Sequence, residues 1–298
     1  MEKVSFYDQI SKNKRNSILL TLLVFSFLVS IIYVIGLLLA PELSLLFLAF
    51  AFLSVIVYTY GTYSYGDRIV LAATNAKPIK EDDKRFAQLN NVVEEMSIAA
   101  GIQKPKLYVI ESDEVNAFAT GKDPNNSSIA VTTGLLNAMK RDELTGVIGH
   151  EMSHIRNYDI RFATLVAVMV GLIAIVSYMF LRSWRFSRSR DDEGKGAGII
   201  ILAGFVLAIF APIIVRIVQA AVSRRRELLA DASSAELTRY PEGLASALEK
   251  IMKTNQGKLN VSEAVSHLFF TDPNKSSLDS LYATHPPLKE RIRILRAM

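Results

Sequence analysis

The sequence predicts a mainly α-helical membrane protein, in which four hydrophobic helices accompany an α+β domain that contains a small antiparallel sheet. Three observations lead to this fold class. Four charge-free apolar runs each reach about the 20 residues that a helix needs to cross the ~30 Å hydrocarbon core of a bilayer. One short motif places two histidines four residues apart, and short strand-like segments precede it.

The four apolar runs form two pairs. Asn16–Pro41 and Leu43–Gly66 are separated only by Glu42, which predicts a transmembrane hairpin with a very short turn. Phe162–Leu181 and Gly196–Val215 form the second pair, bracketed by charged segments. Four such runs favour a polytopic membrane protein over a soluble protein with a large core. The tyrosines that end the second run suit a membrane interface, and they are Tyr58, Tyr60, Tyr63 and Tyr65.

The region between the two pairs has the pattern of a folded domain. Phe86–Ala100 has helical periodicity and ends before a glycine. Three short segments predict strands, and the loop between the last two, Gly121–Asn126, has the composition of a hairpin turn. The predicted strands are Lys106–Ile110, Asn116–Gly121 and Ser128–Thr132. We expect them to form the antiparallel sheet.

Composition limits the chemistry that this chain can support. There is no cysteine, which excludes disulfides and thiolate metal sites, so any metal must be held by histidine and carboxylate. The net charge of +5 is modest, and the arginines cluster beside the apolar runs instead of along a basic and aromatic surface. This distribution indicates membrane-flanking residues and argues against a nucleic-acid partner.

The motif His-Glu-Met-Ser-His at 150–154 is the strongest functional signal in the chain. On a helix, His150 and His154 lie on one face and can bind one metal ion. Glu151 lies beside them, placed to act as a general base, and this combination is the signature of zinc metalloproteases. Upstream, Arg141–Ile148 predicts the start of the helix. We therefore expect a zincin-like catalytic domain that binds one Zn²⁺.

A catalytic zinc needs a third protein ligand. A histidine in the next turn is excluded, because Asn157 and Ile160 occupy the positions where the longer motif has glycine and histidine. A carboxylate from a second helix remains. Glu227 is the candidate. Asp231 lies on the same helical face and could accept a hydrogen bond from a ligating histidine. From spacing alone, two surface acids beside a basic run are an equally good interpretation.

The motif, the two apolar runs after it and the segment Ser223–Asp231 together resemble the HtpX family of bacterial membrane metalloproteases, which is related to the CAAX prenyl proteases. The similarity covers nearly the whole chain, including Asn116–Ala119 and the tail at Thr284–Pro287. It implies a zinc-dependent endopeptidase of the bacterial inner membrane that acts in membrane-protein quality control. It also implies that Glu227 is the third zinc ligand.

The resemblance implies further roles in the tail. In related enzymes a histidine and an arginine six residues later are placed to stabilise the oxyanion of the reaction, and they match His285 and Arg291. A proline-rich turn with a solvated arginine is the alternative interpretation. His267 has no partner motif, and we interpret it as structural or exposed.

The segment before the hairpin turn is the candidate substrate-binding element. Asn116, Ala117, Phe118 and Ala119 are expected to form an edge strand. An exposed strand edge can bind an extended polypeptide through backbone hydrogen bonds. Polypeptide substrates and the lipid bilayer are thus the expected partners.

Membrane topology follows from the positions of the ligands. His150 and Glu227 must meet at one ion, so the second pair of runs crosses the bilayer twice or not at all. The leading hairpin puts the basic N-terminal tail and the catalytic domain on one side, which the positive-inside rule makes cytoplasmic. The loop Arg182–Lys195 carries five basic residues and opposes this rule, so a hairpin partly out of the lipid is the alternative to two crossings.

These expectations divide the chain into four segments. Residues 1–66 form the tail and transmembrane hairpin, and 67–161 the first part of the catalytic domain. Residues 162–215 form the second hydrophobic pair, and 216–298 the second catalytic part with the third ligand.

Other functions remain as alternatives at this stage. A non-hydrolytic membrane zinc-binding or sensor protein would have no use for Glu151. A prenyl-peptide processing protease would usually carry more spans. A transporter is disfavoured, because the four runs contain no charged residue.

Overall fold

The computed structural model describes residues 41–169, 224–255 and 286–298 without interruption, together with 257–259, 261–271, residue 273 and helical pieces between residues 11 and 33. The helices are α1 (Ser44–Ala73), α2 (Ala87–Ala100), α3 (Thr133–Ala138), α4 (Arg141–Arg156), α5 (residues 159–169), α6 (Arg224–Thr238), α7 (Pro241–Thr254), α8 (Glu263–Ser266) and α9 (Leu288–Leu295), with 3-10 turns at Pro41–Leu43 and Lys84–Phe86. The strands are β1 (Lys77–Pro78), β2 (Lys106–Ile110), β3 (Ala117–Asp123) and β4 (Asn126–Thr132).

Within the described chain, α1 is the one helix long and apolar enough to cross a membrane. Only 17% of its most apolar window is buried inside the protein, and side chains such as Leu45 and Phe50 are exposed. A continuous apolar surface of this kind is stable in lipid and costly in water. The helix continues beyond Gly66 to Ala73. In this last part, Val70 and Leu71 are buried in the core of the following domain. The helix therefore joins the lipid-facing segment rigidly to that domain.

The first apolar run packs against α1. Its described residues are helical, Val29 is buried against α1, and the rings of Phe25 and Phe52 meet edge to face at 5.6 Å. At the start of the run, Lys14 Nζ lies 4.2 Å from the centre of the Tyr158 ring, next to the end of α4. The start of the first run and the end of α1 thus lie at the same domain.

The second hydrophobic pair lies mostly outside the described residues, which end at 169 and resume at 224. The first eight positions of the third run are the second part of α5. Phe162, Leu165 and Val166 are buried there, so the start of this run belongs to the protein interior. Four spanning helices stay an expectation, of which the described chain contains one.

The sheet is mixed, whereas the sequence predicted an antiparallel one, and its strand order is β1-β2-β4-β3. The β3–β4 hairpin is antiparallel as predicted, with Phe118 opposite Ala130. β2, in contrast, pairs in parallel with β4, with Leu107 opposite Ile129. β4 lies inside the sheet, between β2 and β3, and its Ile129, Ala130 and Val131 are fully buried, as expected for a strand covered on both faces.

The two edges of the sheet differ in character. At one edge Lys77 and Pro78, which the sequence assigned to a connector, pair antiparallel with Val109 and Tyr108 of β2. Proline has no N–H to donate, so an edge is where a sheet tolerates it. At the other edge β3 packs against α4, which carries the histidine motif.

The motif helix α4 lies at the centre of the domain, between β3 and the helices α2, α6 and α7. Its start is fixed by Glu143, whose carboxylate accepts the Lys140 N–H at 2.7 Å and the Lys250 ammonium at 2.6 Å. Its buried apolar residues are Leu144, Val147, Ile148, Met152 and Ile155. Burial on several sides holds the motif in one orientation.

Two glycines on α4 allow its neighbours to approach closely. A Cβ at position 146 would lie 2.6 Å from the Leu244 backbone nitrogen, and one at position 149 would lie 2.9 Å from Ser234 Oγ. Ser234 Oγ also donates a hydrogen bond to the Gly146 carbonyl at 2.7 Å. The motif helix therefore packs closely on the α7 backbone, and the Ser234 side chain joins it to α6, the helix that carries the third candidate ligand.

Replacing Gly146 by alanine tests this packing. Because the new methyl group would meet backbone atoms that cannot rotate away, we expect the free energy of unfolding to fall by about 1–3 kcal/mol. Thermal unfolding in detergent should show this loss as a lower Tm. The control is Gly61→Ala on α1, where no described atom lies within 4 Å of the added Cβ. Equal Tm values for both variants would contradict the close contact.

Candidate metal centre and active site

Two helices bring the three candidate ligands together. α4 presents His150 and His154 one turn apart, and α6 places Glu227 beside them. The two histidine Nε2 atoms are 3.1 Å apart. Glu227 Oε2 is 3.5 Å from His150 Nε2, and Glu227 Oε1 is 3.6 Å from His154 Nε2. Ligands held tetrahedrally at 2.0–2.1 Å from zinc lie about 3.3 Å from one another, so the donor spacing fits such a site.

Each imidazole has a carboxylate at its other nitrogen. Asp231 Oδ1 lies 2.9 Å from His150 Nδ1, and Asp159 Oδ2 lies 3.0 Å from His154 Nδ1. Since a carboxylate accepts a hydrogen bond, each Nδ1 carries the proton, and the neutral rings turn their Nε2 lone pairs toward Glu227. Two lone pairs and a carboxylate at this distance repel one another unless a cation lies between them. The donor set therefore fits a metal cation.

A proton can take the place of that cation. Burial lowers the pKa of His150, but the hydrogen bonds to Asp231 and Glu227 outweigh burial and raise the pKa to about 9. In the metal-free protein His150 is consequently protonated at neutral pH. A metal ion and a proton compete for the same nitrogen.

Asp231 is held in turn by Arg291. The guanidinium donates from Nε to Asp231 Oδ2 at 2.8 Å and from Nη2 to Oδ1 at 2.7 Å, and both side chains are fully buried. Burial raises the pKa of Asp231, but the charge of Arg291 and the hydrogen bond from His150 outweigh it and lower the pKa. Asp231 thus stays ionised and orients the His150 ring from behind.

The position of Arg291 differs from what an oxyanion donor requires. Its guanidinium lies over the Phe270 ring at 4.8 Å and is engaged by Asp231, and it does not line the cleft beside Glu151. Bidentate pairing with a buried carboxylate fixes the planar fork in place. Its contacts in the structure are those of a positioning residue. His285, the other predicted donor, lies outside the described residues.

Asp159 is a site residue that the sequence analysis did not identify. α4 ends at Arg156, and the chain turns at Tyr158, whose φ is +60°, before α5 begins. This turn brings Asp159 back to His154, and Arg226 Nε lies 3.2 Å from the other Asp159 oxygen. The available signal was an acid placed just after the motif helix and at the start of the next one, where acids are favoured.

Glu151 lies in the same cleft and is 2% exposed. Burial raises the pKa of its carboxyl group, while the nearby His150 and His154 lower it. The backbone N–H of Ala119 on β3 donates a hydrogen bond to it. A raised pKa makes the carboxylate a stronger base at neutral pH, which suits proton transfer.

The cleft lies between α4, α5, α6, β3 and the loop 267–270. His267, which the sequence left as structural or exposed, is buried in the wall of this cleft, with Nε2 3.2 Å from the Ala163 carbonyl. Phe270 from the same loop meets the His150 ring edge to face at 4.8 Å. The loop therefore closes one side of the cleft.

Of the four predicted substrate-binding residues, Ala119 lines the cleft. Phe118 and Asn116 are fully buried in the domain. The Ala117 carbonyl accepts a hydrogen bond from the Phe270 N–H at 2.8 Å, so the loop already occupies this part of the β3 edge. The loop thus covers the β3 edge at Ala117, whereas Ala119 borders the cleft.

Known proteins share this arrangement. Residues 83–298 match peptidase family M48. The chain belongs to this family. It is 44% identical over 299 residues to the protease HtpX homolog of Dictyoglomus thermophilum, which covers 100% of this chain and 96% of that protein. It is 47% identical over 248 residues to the homolog of Caldanaerobacter subterraneus subsp. tengcongensis, covering 82% of each chain. It is also 40% identical over 298 residues to the homolog of Streptococcus uberis, covering 98% of this chain and 99% of that one.

These relatives place the chain in the HtpX group of the M48 peptidases. Among solved structures, that of S. mikatae Ste24p aligns with a TM-score of 0.48 at 18% identity, covering 88% of this chain and 64% of that one. The resemblance seen in the sequence is confirmed, and this M48 peptidase is a zinc metalloendopeptidase that acts on polypeptides.

Asp159 can be tested through the metal affinity of this peptidase. Asp159→Asn removes the anionic partner of the His154 Nδ1–H, so the ring loses both orientation and basicity. We expect the Kd for zinc to rise by about 10–100-fold, measured by competition with a chelating dye. Asp82→Asn, at an exposed carboxylate, is the matched control. Unchanged affinity in Asp159→Asn would rule out this supporting role.

The raised pKa of His150 predicts a pH dependence of metal binding. Below pH 9 the ligand nitrogen is protonated in the metal-free protein, so zinc must displace that proton, and zinc affinity should rise with pH toward about 9. Calorimetry in buffers of different ionisation enthalpy should show release of about one proton from His150 at pH 7.

The counterpart variant for this measurement is Asp231→Asn. Loss of the hydrogen-bonded carboxylate should lower the His150 pKa, and proton release at pH 7 should decrease. Identical proton release in the two proteins would show that Asp231 does not set the protonation of His150.

Proposed function

We propose that this peptidase is integral to the bacterial inner membrane and hydrolyses misfolded or damaged membrane proteins. The observation that carries the proposal is the convergence of His150, His154 and Glu227 beside Glu151, in a domain whose β3 edge packs on the lipid-exposed helix α1. A polypeptide near the membrane surface would reach the catalytic cleft without leaving that surface.

The resident metal in this proposal is one Zn²⁺ held by His150, His154 and Glu227. The donor set supports it, because two imidazoles and one carboxylate with an open position are typical of catalytic zinc. When bound, zinc supplies Lewis-acid polarisation of the peptide carbonyl and lowers the pKa of the attacking water. Asp231 and Asp159 hold the ligands in orientation, and Arg291 holds Asp231.

Glu151 performs the proton transfers. As the general base it accepts a proton from the attacking water, and as the general acid it passes that proton to the leaving amine. Its position in the cleft and the effect of burial on its pKa support both steps, since a raised pKa makes the carboxylate a better proton acceptor, and the resulting carboxyl group can still protonate the more basic leaving amine.

Ala119 is the proposed point of backbone contact with the substrate. A chain extended along the outer edge of β3 would pair there and continue toward Asn116–Phe118 only where the loop at Phe270 gives way. His285 stays proposed as an oxyanion-stabilising residue, and Arg291 stays proposed as a residue of the active site. Burial of Arg291 on Asp231 supports an indirect role for the arginine, through the orientation of His150.

The proposed topology has the catalytic domain in the cytoplasm and four membrane crossings. Packing of the first run on α1, and of Lys14 on Tyr158, supports a leading hairpin that begins and ends at the domain. The basic residues of the N-terminal tail then lie on the cytoplasmic side.

The first experiment compares wild type with Glu151→Gln in detergent, with zinc content determined and zinc added back after chelation. Both proteins should bind zinc, because Glu151 is not one of the three converging ligands. Casein cleavage should fall by about 10²–10⁴-fold or more in Glu151→Gln, since the general base is lost. Glu94→Gln, at an exposed carboxylate paired with Lys104, controls for removal of a charge.

A second arm addresses the substrate class. In proteoliposomes, a destabilised membrane protein should be cleaved and its folded parent should not. If wild type and Glu151→Gln bind zinc equally and wild type cleaves no substrate, the non-hydrolytic zinc-binding alternative is favoured. Cleavage restricted to prenylated peptides would favour the processing alternative. Cleavage of folded and misfolded protein alike would refute the quality-control role.

A further inference from the structure

A second cavity lies on the membrane side of the domain, separate from the catalytic cleft. It is small and is bounded by α1, the end of β3 and α5. α1 and α5 approach closely at its base, where a Cβ at Gly66 would lie 3.1 Å from Thr164 Cγ2. Thr164 Oγ1 accepts a hydrogen bond from the Gly121 N–H at 3.2 Å and lies 2.8 Å from Thr120 Oγ1. The cavity is thus built on a rigid junction of three elements.

Two cations in the lining of this cavity converge on one tyrosine ring. Lys122 Nζ is 5.5 Å and Arg161 Cζ is 5.2 Å from the centre of the Tyr63 ring. Cation–π contact with one ring leaves both positive charges without a neutralising partner. An anion between them would supply one.

The described residues do not supply that anion. Arg161 Nε is buried without a hydrogen-bond partner, and neither Arg161 nor Lys122 forms an ion pair within the described chain. Asp67 is the acidic residue in the described lining, and it pairs with neither cation. With two cations and one carboxylate, the lining keeps a net positive charge and an unused guanidinium donor.

The height of the cavity along α1 indicates where the anion comes from. Tyr63 and Gly66 lie at the end of the charge-free run, directly before Asp67 and Arg68. Tyr60 and Tyr65 nearby are exposed, as expected for an interfacial belt, and Arg68 lies 5.3 Å from the Tyr65 ring. The phosphates of a bilayer lie at this level, just outside the hydrocarbon core.

We propose that this cavity binds the phosphodiester headgroup of an anionic phospholipid. The headgroup phosphate would accept hydrogen bonds from the Arg161 guanidinium and the Lys122 ammonium, and its acyl chains would lie along the exposed apolar face of α1. A bound lipid would fix the depth of the domain at the membrane. It would also lie beside Gly121 near the end of β3, and Gly121 is two residues after Ala119, which lines the catalytic cleft. The inference uses the membrane position of α1 and is independent of the peptidase chemistry.

The test is native mass spectrometry of the detergent-solubilised full chain in the Glu151→Gln background, titrated with phosphatidylglycerol. Use of this inactive background separates the result from the outcome of the peptidase experiment. One tightly bound lipid is expected. Lys122→Gln/Arg161→Gln should weaken it by at least about tenfold, since each basic residue near an anionic surface contributes a several-fold effect. Phosphatidylcholine with the same acyl chains should bind as weakly to wild type as phosphatidylglycerol does to the double variant.

Arg68→Gln is the matched control, because it removes one charge at the same height of α1 but outside the cavity. It should change the affinity by less than about threefold. Zinc binding reports folding of each variant. If the double variant does not bind zinc, Lys122→Gln alone should still weaken the lipid several-fold.

Three results would overturn the proposal. An equal loss in Arg68→Gln would indicate general surface electrostatics. Equal affinity for phosphatidylcholine would remove the requirement for an anionic lipid. Displacement of the lipid by millimolar inorganic phosphate would indicate a site for free phosphate.

Discussion

The arrangement of two imidazole lone pairs 3.1 Å apart is the constraint on which the rest of the domain depends. Such a pair is repulsive without a metal ion or a proton between the two nitrogens, so the protein must hold both rings against that repulsion. It does so with one carboxylate behind each ring, Asp231 on α6 and Asp159 on α5. Each carboxylate is itself held by an arginine, Arg291 and Arg226 respectively. The metal centre is consequently supported by charges from three separate helices, α5, α6 and α9.

The sheet connects this centre to the membrane. β3 faces α4 along one edge and packs on α1, and the Ala119 N–H reaches Glu151 at the point where the strand borders the cleft. At its far end the same strand meets α5 and α1 through Gly121. One strand therefore links Glu151, the edge covered by the loop at Phe270 and the cavity lined by Tyr63. The loop that carries Phe270 closes the edge beside Ala117 through one backbone hydrogen bond and through ring packing against His150.

Local patterns predicted those features that depend on neighbours in the chain. The helical spacing of His150 and His154, the hairpin between β3 and β4 and the length of α1 each follow from residues within a few turns of one another. The sheet order did not follow, because β2 pairs in parallel with β4, across the strand β3 that intervenes in sequence, and no pattern within one strand specifies that partner. Asp159 was missed for a similar reason, since it reaches His154 only through the left-handed turn at Tyr158.

By itself, the sequence determined the chemical class: a histidine pair with an adjacent glutamate, no thiolate alternative and apolar runs long enough for a bilayer. The spacing of Glu227 and Asp231 left two interpretations equal, and the resemblance to a family favoured one of them. Tertiary structure alone decided that both carboxylates face His150, that Arg291 is buried behind it, and that the loop beside Phe270 covers part of the β3 edge. These are contacts between residues 60 or more positions apart, and no local periodicity encodes them, because packing of α4 against α6 and α7 sets their geometry.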